Sequence, residues 1–383
     1  MSHLHLCVSQ TEHTAPYKFN ATGIKVYTFE EALYHCLHNW RQSMEDFICE
    51  SFIEWVEGIG LHQIAEKMHK IAAMENFSMA YLSFLSLADF FPQERIADLQ
   101  KELVMWEKRQ AWEKYKEQGD FWLRRGEGER AFGFYERALS YSENVTLLNN
   151  TGLALMHMGE PYTATKHFER AADIEPDNLQ LRFNHTEALI AADLHDDALK
   201  IIAGLPQQHP EIMYFKGEIA YRQKHYFEAM HLFKMAAETA YDVDYIYRLS
   251  DCYMKTRQFA LAIETLEAIP DDERDLYFQQ KLAGHHAESG NIPAAIKAIE
   301  KALMADAASA DLWISLAGFY RMDYNLIRAA GAISKALSLS PENPNALLEQ
   351  ARIRKAEGRT KEYQGILRRI LDKFKENFRK GGL

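Results

Sequence analysis

The sequence predicts an all-α protein, an α-solenoid of helical hairpins that follows a helical N-terminal module. A period of 31 to 34 residues is the first observation, carried by Ala131, Ala164, Ala198, Ala229, Ala262, Ala295 and Ala329. The second is a small residue twelve positions before each alanine, and the third is a bulky residue four positions after it. Such a period is typical of proteins in which each unit is a helical pair that packs on its neighbours.

Each column of the repeat has a physical role in a helical hairpin. The small residues lie on the first helix of the pair, at Gly119, Gly152, Thr186, Gly217, Ser250, Ala283 and Ala317. The bulky residues lie on the second helix, at Tyr135, Phe168, Ile202, Phe233, Leu266, Ile299 and Ile333. Two helices approach closely only where facing side chains are small, so these columns predict tightly packed antiparallel pairs.

These residues resemble the tetratricopeptide repeat, a helix-turn-helix unit of about 34 residues. The resemblance covers roughly residues 112–377 and implies a right-handed α-solenoid. In its register the repeats begin near Trp112, Val145, Leu179, Pro210, Val243, Leu276 and Ala310, and a divergent eighth begins near Pro344. Turn residues between the two helices are expected at Gly126, Gly159, Gly290 and Gly358.

Prolines and one tyrosine break the pattern. Pro206 and Pro270 follow the second helices of the third and fifth repeats at positions where other repeats continue helically. Because proline cannot continue a helix interior, both helices are expected to end a turn early. Tyr363 replaces the repeating alanine in the eighth repeat. A terminal repeat has no further neighbour, so this departure indicates a cap.

The chain divides by pattern into four segments. Residues 1–24 are expected to be extended or disordered, 25–110 form a helical module, 111–343 hold seven repeats, and 344–383 hold the divergent eighth repeat and a basic capping helix. In the module, a capping box of Thr28 and Glu31 starts the first helix. Further helices are expected over 44–57, 62–74 and 78–90, and a fifth opens at Pro92 and continues toward the repeats. The aromatic-rich module is either a cap for the first repeat or a separate recognition domain.

Composition limits the classes of function. Hydrophobic residues make up 47% of the chain, and the net charge of −11 argues against nucleic acid as a partner. The apolar stretches are too short for a membrane span, and no secretory signal is expected at the N-terminus. Four scattered cysteines predict free thiols in a reducing compartment, so a cytoplasmic protein is expected.

Charge is uneven along the chain. Residues 351–383 hold eleven Lys and Arg against four Asp and Glu. A solvated face on the capping helix explains this bias, and so does a docking patch for an acidic partner or a membrane surface.

The sequence carries no motif for catalysis, a cofactor or a metal. Glycine-rich phosphate loops and the nucleophile-elbow pattern are missing from it. His35 and His38 are three residues apart, and Cys36 belongs to an apolar stripe together with Leu33 and Leu37, so a metal site there is not expected. A non-enzymatic protein without cofactors is therefore predicted.

The resemblance implies a partner-binding groove lined by the first helix of each repeat. Three successive repeats place an aromatic residue four positions before an acid, and the first repeat places a lysine there. Three asparagines and one tyrosine on the same helices complete the predicted site. Its members are Lys116, Asp120, Asn149, Asn150, Phe183, Asn184, Glu187, Tyr214, Glu218, Tyr221, Tyr247 and Asp251. Such a groove suits a protein or peptide segment with apolar and basic side chains.

One partner class can be weighed against this site. Some members of the family clamp the C-terminal carboxylate of heat-shock chaperones with lysines, asparagines and an arginine. Lys116 and Asn150 match that clamp, but Asp120, Gln180 and Asn184 stand where an asparagine and two cations belong. An acid beside a carboxylate repels it, which argues against this partner.

Three functions follow, in order of support. The first is a scaffold or adaptor that binds a peptide or protein segment in the groove. The second is a regulatory or sensor protein whose N-terminal module is the output domain. The third is an enzyme with its site in that module, for which the sequence offers no nucleophile or phosphate-binding motif.

Overall fold

A computed structural model describes residues 15–44, 46–88 and 90–380, except for the side chains of 373, 374 and 376–380. These residues form twenty-two α-helices, a short β-hairpin and one turn of 3-10 helix, so the predicted all-α class is confirmed. The chain divides into two compact bodies, one up to Asp193 and the other from Leu194 onward. The first holds the N-terminal module and the repeats up to the first helix of the third, and the second holds the rest.

The N-terminal module consists of a hairpin and six helices around an apolar core. Its elements are β1 (Tyr17–Lys18), β2 (Lys25–Val26), α1 (Phe29–His38), α2 (Trp40–Ser43), α3 (Glu50–Gly58), α4 (His62–Ala72), α5 (Phe77–Leu85) and α6 (Gln93–Glu107). The capping box of Thr28 and Glu31 forms as predicted. Cys36 is fully buried in the core, also as predicted.

Residues 15–24, which were expected to be extended or disordered, include the extended strand β1 and the turn toward β2. β1 and β2 pair antiparallel, and Phe19 between them is fully buried. The buried carboxylate of Asp46 holds this hairpin, because it accepts hydrogen bonds from the Tyr17 hydroxyl at 2.9 Å and from the Asn20 amide side chain at 2.7 Å. Residues 1–14, to which the same expectation applied, lie outside the described part of the chain.

Three helix boundaries in the module differ from the sequence prediction. The helix expected over 44–57 begins only at Glu50, because the segment around Asp46 turns to reach the hairpin. The helix expected over 78–90 ends at Leu85. The helix α6 ends at Glu107 and does not run on into the repeats, because Gln110 starts a new helix with its own capping box.

Each of the seven predicted repeats and the divergent eighth has two helices in the predicted order. Their helices are α7 (Ala111–Arg124), α8 (Gly128–Leu139), α9 (Val145–His157), α10 (Pro161–Ile174), α11 (Leu179–Ala191), α12 (His195–Ala203), α13 (Pro210–Arg222), α14 (Tyr226–Thr239), α15 (Val243–Lys255), α16 (Phe259–Glu267), α17 (Leu276–Glu288), α18 (Ile292–Ala305), α19 (Ala310–Met322), α20 (Leu326–Leu339), α21 (Pro344–Ala356) and α22 (Thr360–Lys380). The first helix of every repeat begins within one residue of its predicted start. The repeating alanines are all fully buried, which explains why the column is kept.

The small residue of the first helix packs against the bulky residue of the second helix, and the sizes of the two are complementary. Where the small residue is glycine, the bulky residue opposite is aromatic, and a β-carbon added at Gly152 would lie 2.6 Å from the Phe168 ring. Gly119 and Gly217 stand in the same relation to Tyr135 and Phe233. Where the small residue carries a β-carbon, as at Ala283, the bulky residue in its cluster is aliphatic. Each hairpin therefore fills the same space by one of two combinations.

Both prolines have the predicted effect. The second helices α12 and α16 span 9 residues each, whereas α10, α14, α18 and α20 span 14. After Pro270 the chain makes a turn of 3-10 helix over Asp271–Glu273 before α17 begins. Each of these second helices therefore ends before its proline.

The turn between the two helices keeps one backbone conformation in all eight repeats. Positive φ is found at Gly126, Gly159, Asp193, Lys224, Arg257, Gly290, Tyr324 and Gly358. The four predicted turn glycines are among these residues. The left-handed conformation is therefore a property of the position, even where an L-residue has to adopt it at a cost.

The helix α22 packs on α21. It begins after Gly358 and spans 21 residues, against 13 for α21. Of the helices in the described residues, none is both long and apolar enough to cross a membrane.

Candidate protein-binding surface

A chain of hydrogen bonds crosses the first helices of the first three repeats. Starting in α11, the Gln180 amide donates to Asn184 at 2.9 Å, and the Asn184 amide donates to Asn149 in α9 at 2.7 Å. The Asn149 amide then donates to its neighbour Asn150 at 3.3 Å, and Asn150 donates to Asp120 in α7 at 3.0 Å. We call these residues, together with Lys116, the amide strip.

The amide strip keeps hydrogen-bonding capacity for a ligand. A carboxamide has two N–H donors and two acceptor lone pairs. In the amide strip, Asn149 and Asn184 each donate one hydrogen bond and accept one, and both side chains are half-buried at the helix surface. One donor and one acceptor per amide therefore stay open, which is what the backbone of an extended peptide requires.

Asp120 anchors one end of the amide strip. Its carboxylate forms an ion pair with Lys116 at 2.7 Å and accepts a hydrogen bond from the Tyr135 hydroxyl at 2.8 Å. Burial, followed by the bond to Asp120, raises the pKa of Tyr135, so the hydroxyl stays protonated and donates. Lys116 is held by Asp120, which fits the sequence argument against a carboxylate clamp.

The two remaining sequence-predicted residues of α11 lie differently in the structure. Phe183 is 8% exposed, and its ring belongs to the packed interior. Glu187 is exposed. The Phe183 ring, which the sequence predicted to line the groove, is therefore largely shielded from solvent, and its part in binding stays a prediction.

The predicted acids of the fourth and fifth repeats form ion pairs within the stack. Glu218 in α13 pairs with the guanidinium of Arg248 in α15, with the Nε nitrogen 2.6 Å from its Oε1 oxygen. Asp251 in α15 pairs with Lys281 in α17 at 2.7 Å. Each acid therefore binds a cation of the next repeat. Its negative charge is largely neutralised, so it attracts Lys or Arg of a partner only weakly.

Aromatic rings flank these ion pairs. Tyr214 is half-buried, with its ring centre 5.2 Å from that of Tyr245. Tyr247 is 6% exposed and meets Tyr277 edge-on at 4.9 Å. Tyr221 is half-buried at the end of α13, where the Arg248 guanidinium lies 5.8 Å from its ring.

We call Tyr214, Glu218, Tyr247, Arg248, Asp251 and Lys281 the ion-paired strip. The sequence prediction included its rings and acids but missed Arg248 and Lys281. Both cations stand at the sixth position of their repeats, one residue after the aromatic position. The ion pairs could have been predicted from the sequence, because each repeat that follows a repeat with an acid has a cation at its sixth position.

The N-terminal module contacts the first repeat through α7. Arg41 forms an ion pair with Glu117 at 2.8 Å, and its backbone carbonyl accepts a hydrogen bond from Gln118 at 2.9 Å. Lys116 and Asp120 of the amide strip lie on the same helix. The helix α7 thus carries part of the candidate surface and part of the contact with the module.

No group of three potential metal-ligating residues is found in the part of the chain that the structure describes. The three cysteines there, Cys36, Cys49 and Cys252, are free thiols. The contacts described within the two strips are hydrogen bonds, ion pairs and aromatic contacts.

A family model and several solved structures match parts of this chain. The family model for the tetratricopeptide repeat matches residues 155–217. A tetratricopeptide repeat protein from Parabacteroides merdae is 18% identical, with 65% of this chain and 99% of that chain covered and a TM-score of 0.46. YrrB, described as a TPR protein with an unusual peptide-binding site, is 21% identical, with 47% and 95% covered and a TM-score of 0.37. PilW, a type IV pilus biogenesis factor, is 18% identical, with 53% and 96% covered and a TM-score of 0.46. Among curated proteins, no sequence matches this chain.

Proposed function

Because this chain is a tetratricopeptide-repeat protein, we propose that it acts as a scaffold or adaptor that binds an extended segment of a partner protein along α7, α9 and α11. Proteins with these repeats generally mediate protein–protein interaction. The observation that carries the proposal is the amide strip, whose asparagines are already oriented by one another. Binding then requires little ordering of the receptor, which lowers the entropic cost of association.

The chemistry of the surface defines the segment. The open donors and acceptors of Asn149 and Asn184 suit backbone amides in an extended conformation. The proposed segment presents its backbone to the amide strip and its side chains to the half-buried surface beside it. The sequence suggested that the partner segment carries basic side chains, because acids line the groove. The structure weakens that argument, since Glu218 and Asp251 already bind Arg248 and Lys281.

A peptide selection tests the proposal. A random peptide library displayed on phage is selected on the full-length protein, and binders are measured again on the double variant Asn149→Ala/Asn184→Ala. Each lost hydrogen bond costs about 1 kcal/mol, so the double change is expected to weaken binding by roughly thirtyfold.

A matched control removes two exposed amides elsewhere. Gln280→Ala/Gln364→Ala changes the same chemical groups on α17 and α22, where both side chains are exposed. It is expected to leave peptide affinity unchanged. Selected peptides that bind the Asn149/Asn184 variant as tightly as the parent would place the interaction elsewhere and refute the proposed surface.

A regulatory role is the second candidate, and the position of α7 favours it. The helix touches the module through Glu117 and Gln118 and the candidate surface through Lys116 and Asp120. A ligand that shifts α7 would change the docking of the module. Hydrogen exchange of residues 25–110, measured with and without a selected peptide, tests this role, and unchanged protection would exclude it.

Tetratricopeptide-repeat proteins are typically non-enzymatic, and we propose no catalytic activity. We propose a cytoplasmic location from the free thiols of Cys36 and Cys252, both of which are buried. Fractionation of the cells that produce the protein tests the location, and recovery outside the cytoplasm would contradict it.

A further inference from the structure

The helix α22, which the sequence predicted to be a cap, is longer than a cap requires. It packs on α21, but at about 1.5 Å per residue its 21 residues exceed the 13 of α21 by roughly 12 Å. A cap has to cover only the exposed side of the preceding helix. The last turns of α22 therefore have another explanation.

The cations of the C-terminal region fall into two groups. Near the start of α22, Arg354 pairs with Glu357 at 2.8 Å and Arg359 with Glu362 at 3.6 Å. Further along, Arg368, Arg369 and Lys375 are exposed and form no ion pair with any described residue. Three such cations therefore lie close together on the later part of the helix.

An apolar side chain lies between these cations. Leu371 is 58% exposed, with Arg368 three residues before it and Lys375 four residues after it, so all three lie close together on the helix surface. On the adjoining face, Ile366, Leu367 and Ile370 are half-buried. The sequence continues this apolar spacing with Phe374 and Phe378. An apolar stripe bordered by Lys and Arg on a polar helix is typical of segments that lie in the plane of a membrane interface.

We infer that the later part of α22 docks the protein on an anionic lipid surface, with Leu371 entering the interface and Arg368, Arg369 and Lys375 contacting acidic headgroups. Charge complementarity selects this occupant. A second copy of the same helix would place positive charge against positive charge. An acidic protein would satisfy the cations but would leave the apolar stripe unexplained. The inference is independent of the function proposed for the amide strip.

Vesicle co-sedimentation of the full chain tests the docking. We expect binding to phosphatidylcholine vesicles that contain phosphatidylserine, little binding to phosphatidylcholine alone, and release at high salt. Each surface cation contributes about 1 kcal/mol near an anionic membrane. The triple variant Arg368→Gln/Arg369→Gln/Lys375→Gln is therefore expected to bind on the order of a hundredfold more weakly.

Two control variants separate this site from general effects. Lys234→Gln/Lys255→Gln/Lys297→Gln changes the net charge equally on exposed residues of α14, α15 and α18 and is expected to keep nearly full binding. Leu371→Gln is expected to weaken vesicle binding about tenfold. Ile327→Gln, at a residue of α20 that is 89% exposed, is expected to have no effect. All four variants alter exposed side chains, so their thermal unfolding should match the parent.

Three results would overturn the inference. One is equal binding to neutral and anionic vesicles, and another is an equal loss in the two triple variants. The third is binding to soluble polyglutamate as strong as to anionic vesicles and indifferent to Leu371→Gln, which would assign the helix to an acidic protein partner.

Discussion

The amide strip and the ion-paired strip occupy the same register positions on first helices, yet they are built from different chemistry. In the amide strip, neutral carboxamides bond to one another and keep open donors and acceptors. In the ion-paired strip, each acid is matched to a cation of the next repeat. The two strips therefore differ in what they can do. The charge pairs of the ion-paired strip join neighbouring repeats, whereas the amide strip keeps donors and acceptors that a ligand could use.

Among single substitutions at neutral pH, the largest expected effect comes from breaking an ion pair. Glu218 is 5% exposed, and Glu218→Gln would leave the guanidinium of Arg248 without its main counter-charge. Since Arg248 is 34% exposed, water compensates in part, and we expect a loss of about 2 kcal/mol in the free energy of unfolding. Urea denaturation measures this loss.

A control variant removes an exposed acid instead. Glu238→Gln, which removes a carboxylate 3.8 Å from Lys234, should change the free energy of unfolding by less than about 0.5 kcal/mol. Equal effects would mean that the buried pair does not join the repeats.

Acid should weaken the ion-paired strip through His285. This histidine is buried against Ser250, and burial lowers its pKa to about 4, although the charge of Asp251 opposes the shift. In the unfolded chain its pKa is about 6.5, so the unfolded state binds a proton first as the pH falls. Stability is therefore full above about pH 6.5 and declines toward pH 4, by up to about 3 kcal/mol.

The variant His285→Gln isolates this contribution. It is expected to flatten the decline in unfolding free energy between about pH 6.5 and pH 4, as measured by urea denaturation at a series of pH values. His231→Gln, at an exposed histidine of α14, serves as the control and should leave the curve unchanged. An unaltered curve in His285→Gln would contradict the assignment.

The amide strip should respond in binding more than in stability. The single change Asn149→Ala removes one donated and one accepted hydrogen bond at a half-buried site, which predicts a loss of about 1 kcal/mol in unfolding free energy. Thermal unfolding checks it. A loss as large as that of Glu218→Gln would show that the amides, too, serve mainly to hold the repeats together.

The smallest effect concerns the turns that follow these helices. In the first two repeats the turn residue is glycine, whereas Lys224 and Arg257 adopt positive φ after α13 and α15. The variant Lys224→Gly should relieve the left-handed conformation, and the added entropy of the unfolded chain offsets part of the gain. We expect stabilisation of about 0.5 kcal/mol by urea denaturation. Lys234→Gly, at an exposed residue inside helix α14, should destabilise by about 1 kcal/mol instead.

The repeats were predictable from sequence because each column recurs seven times, so the register could be fixed from many matches. Helix starts such as Val145 and Pro210 follow directly from it. The hairpin of β1 and β2 was not predictable in this way. It has two-residue strands and depends on Asp46, which lies about 20 residues or more away in sequence and reveals its role only after folding.

The candidate surface was predicted less completely than the fold. Lys116, Asp120 and the asparagines lie on the first helices as the register predicted, and their part in binding stays a prediction. The pairing of Glu218 and Asp251 was not predicted, because it depends on cations at a different position of the following repeat. Periodicity identifies which face a residue occupies, but the partner of a charge is set by packing between repeats.

The two ways of packing a hairpin determine the order in which the small and the bulky residue can be substituted. A repeat that passes from glycine with an aromatic ring to alanine with an aliphatic residue needs two substitutions. If Gly152 changes first, its new β-carbon overlaps the Phe168 ring, whereas if Phe168 shrinks first, it leaves a cavity. Because the two helices of a repeat cannot move apart, the steric overlap is expected to destabilise the repeat more than the cavity does. Neighbouring repeats can therefore diverge along one mutational path, with the ring lost before the β-carbon is gained, and the reverse change must regain glycine before the ring.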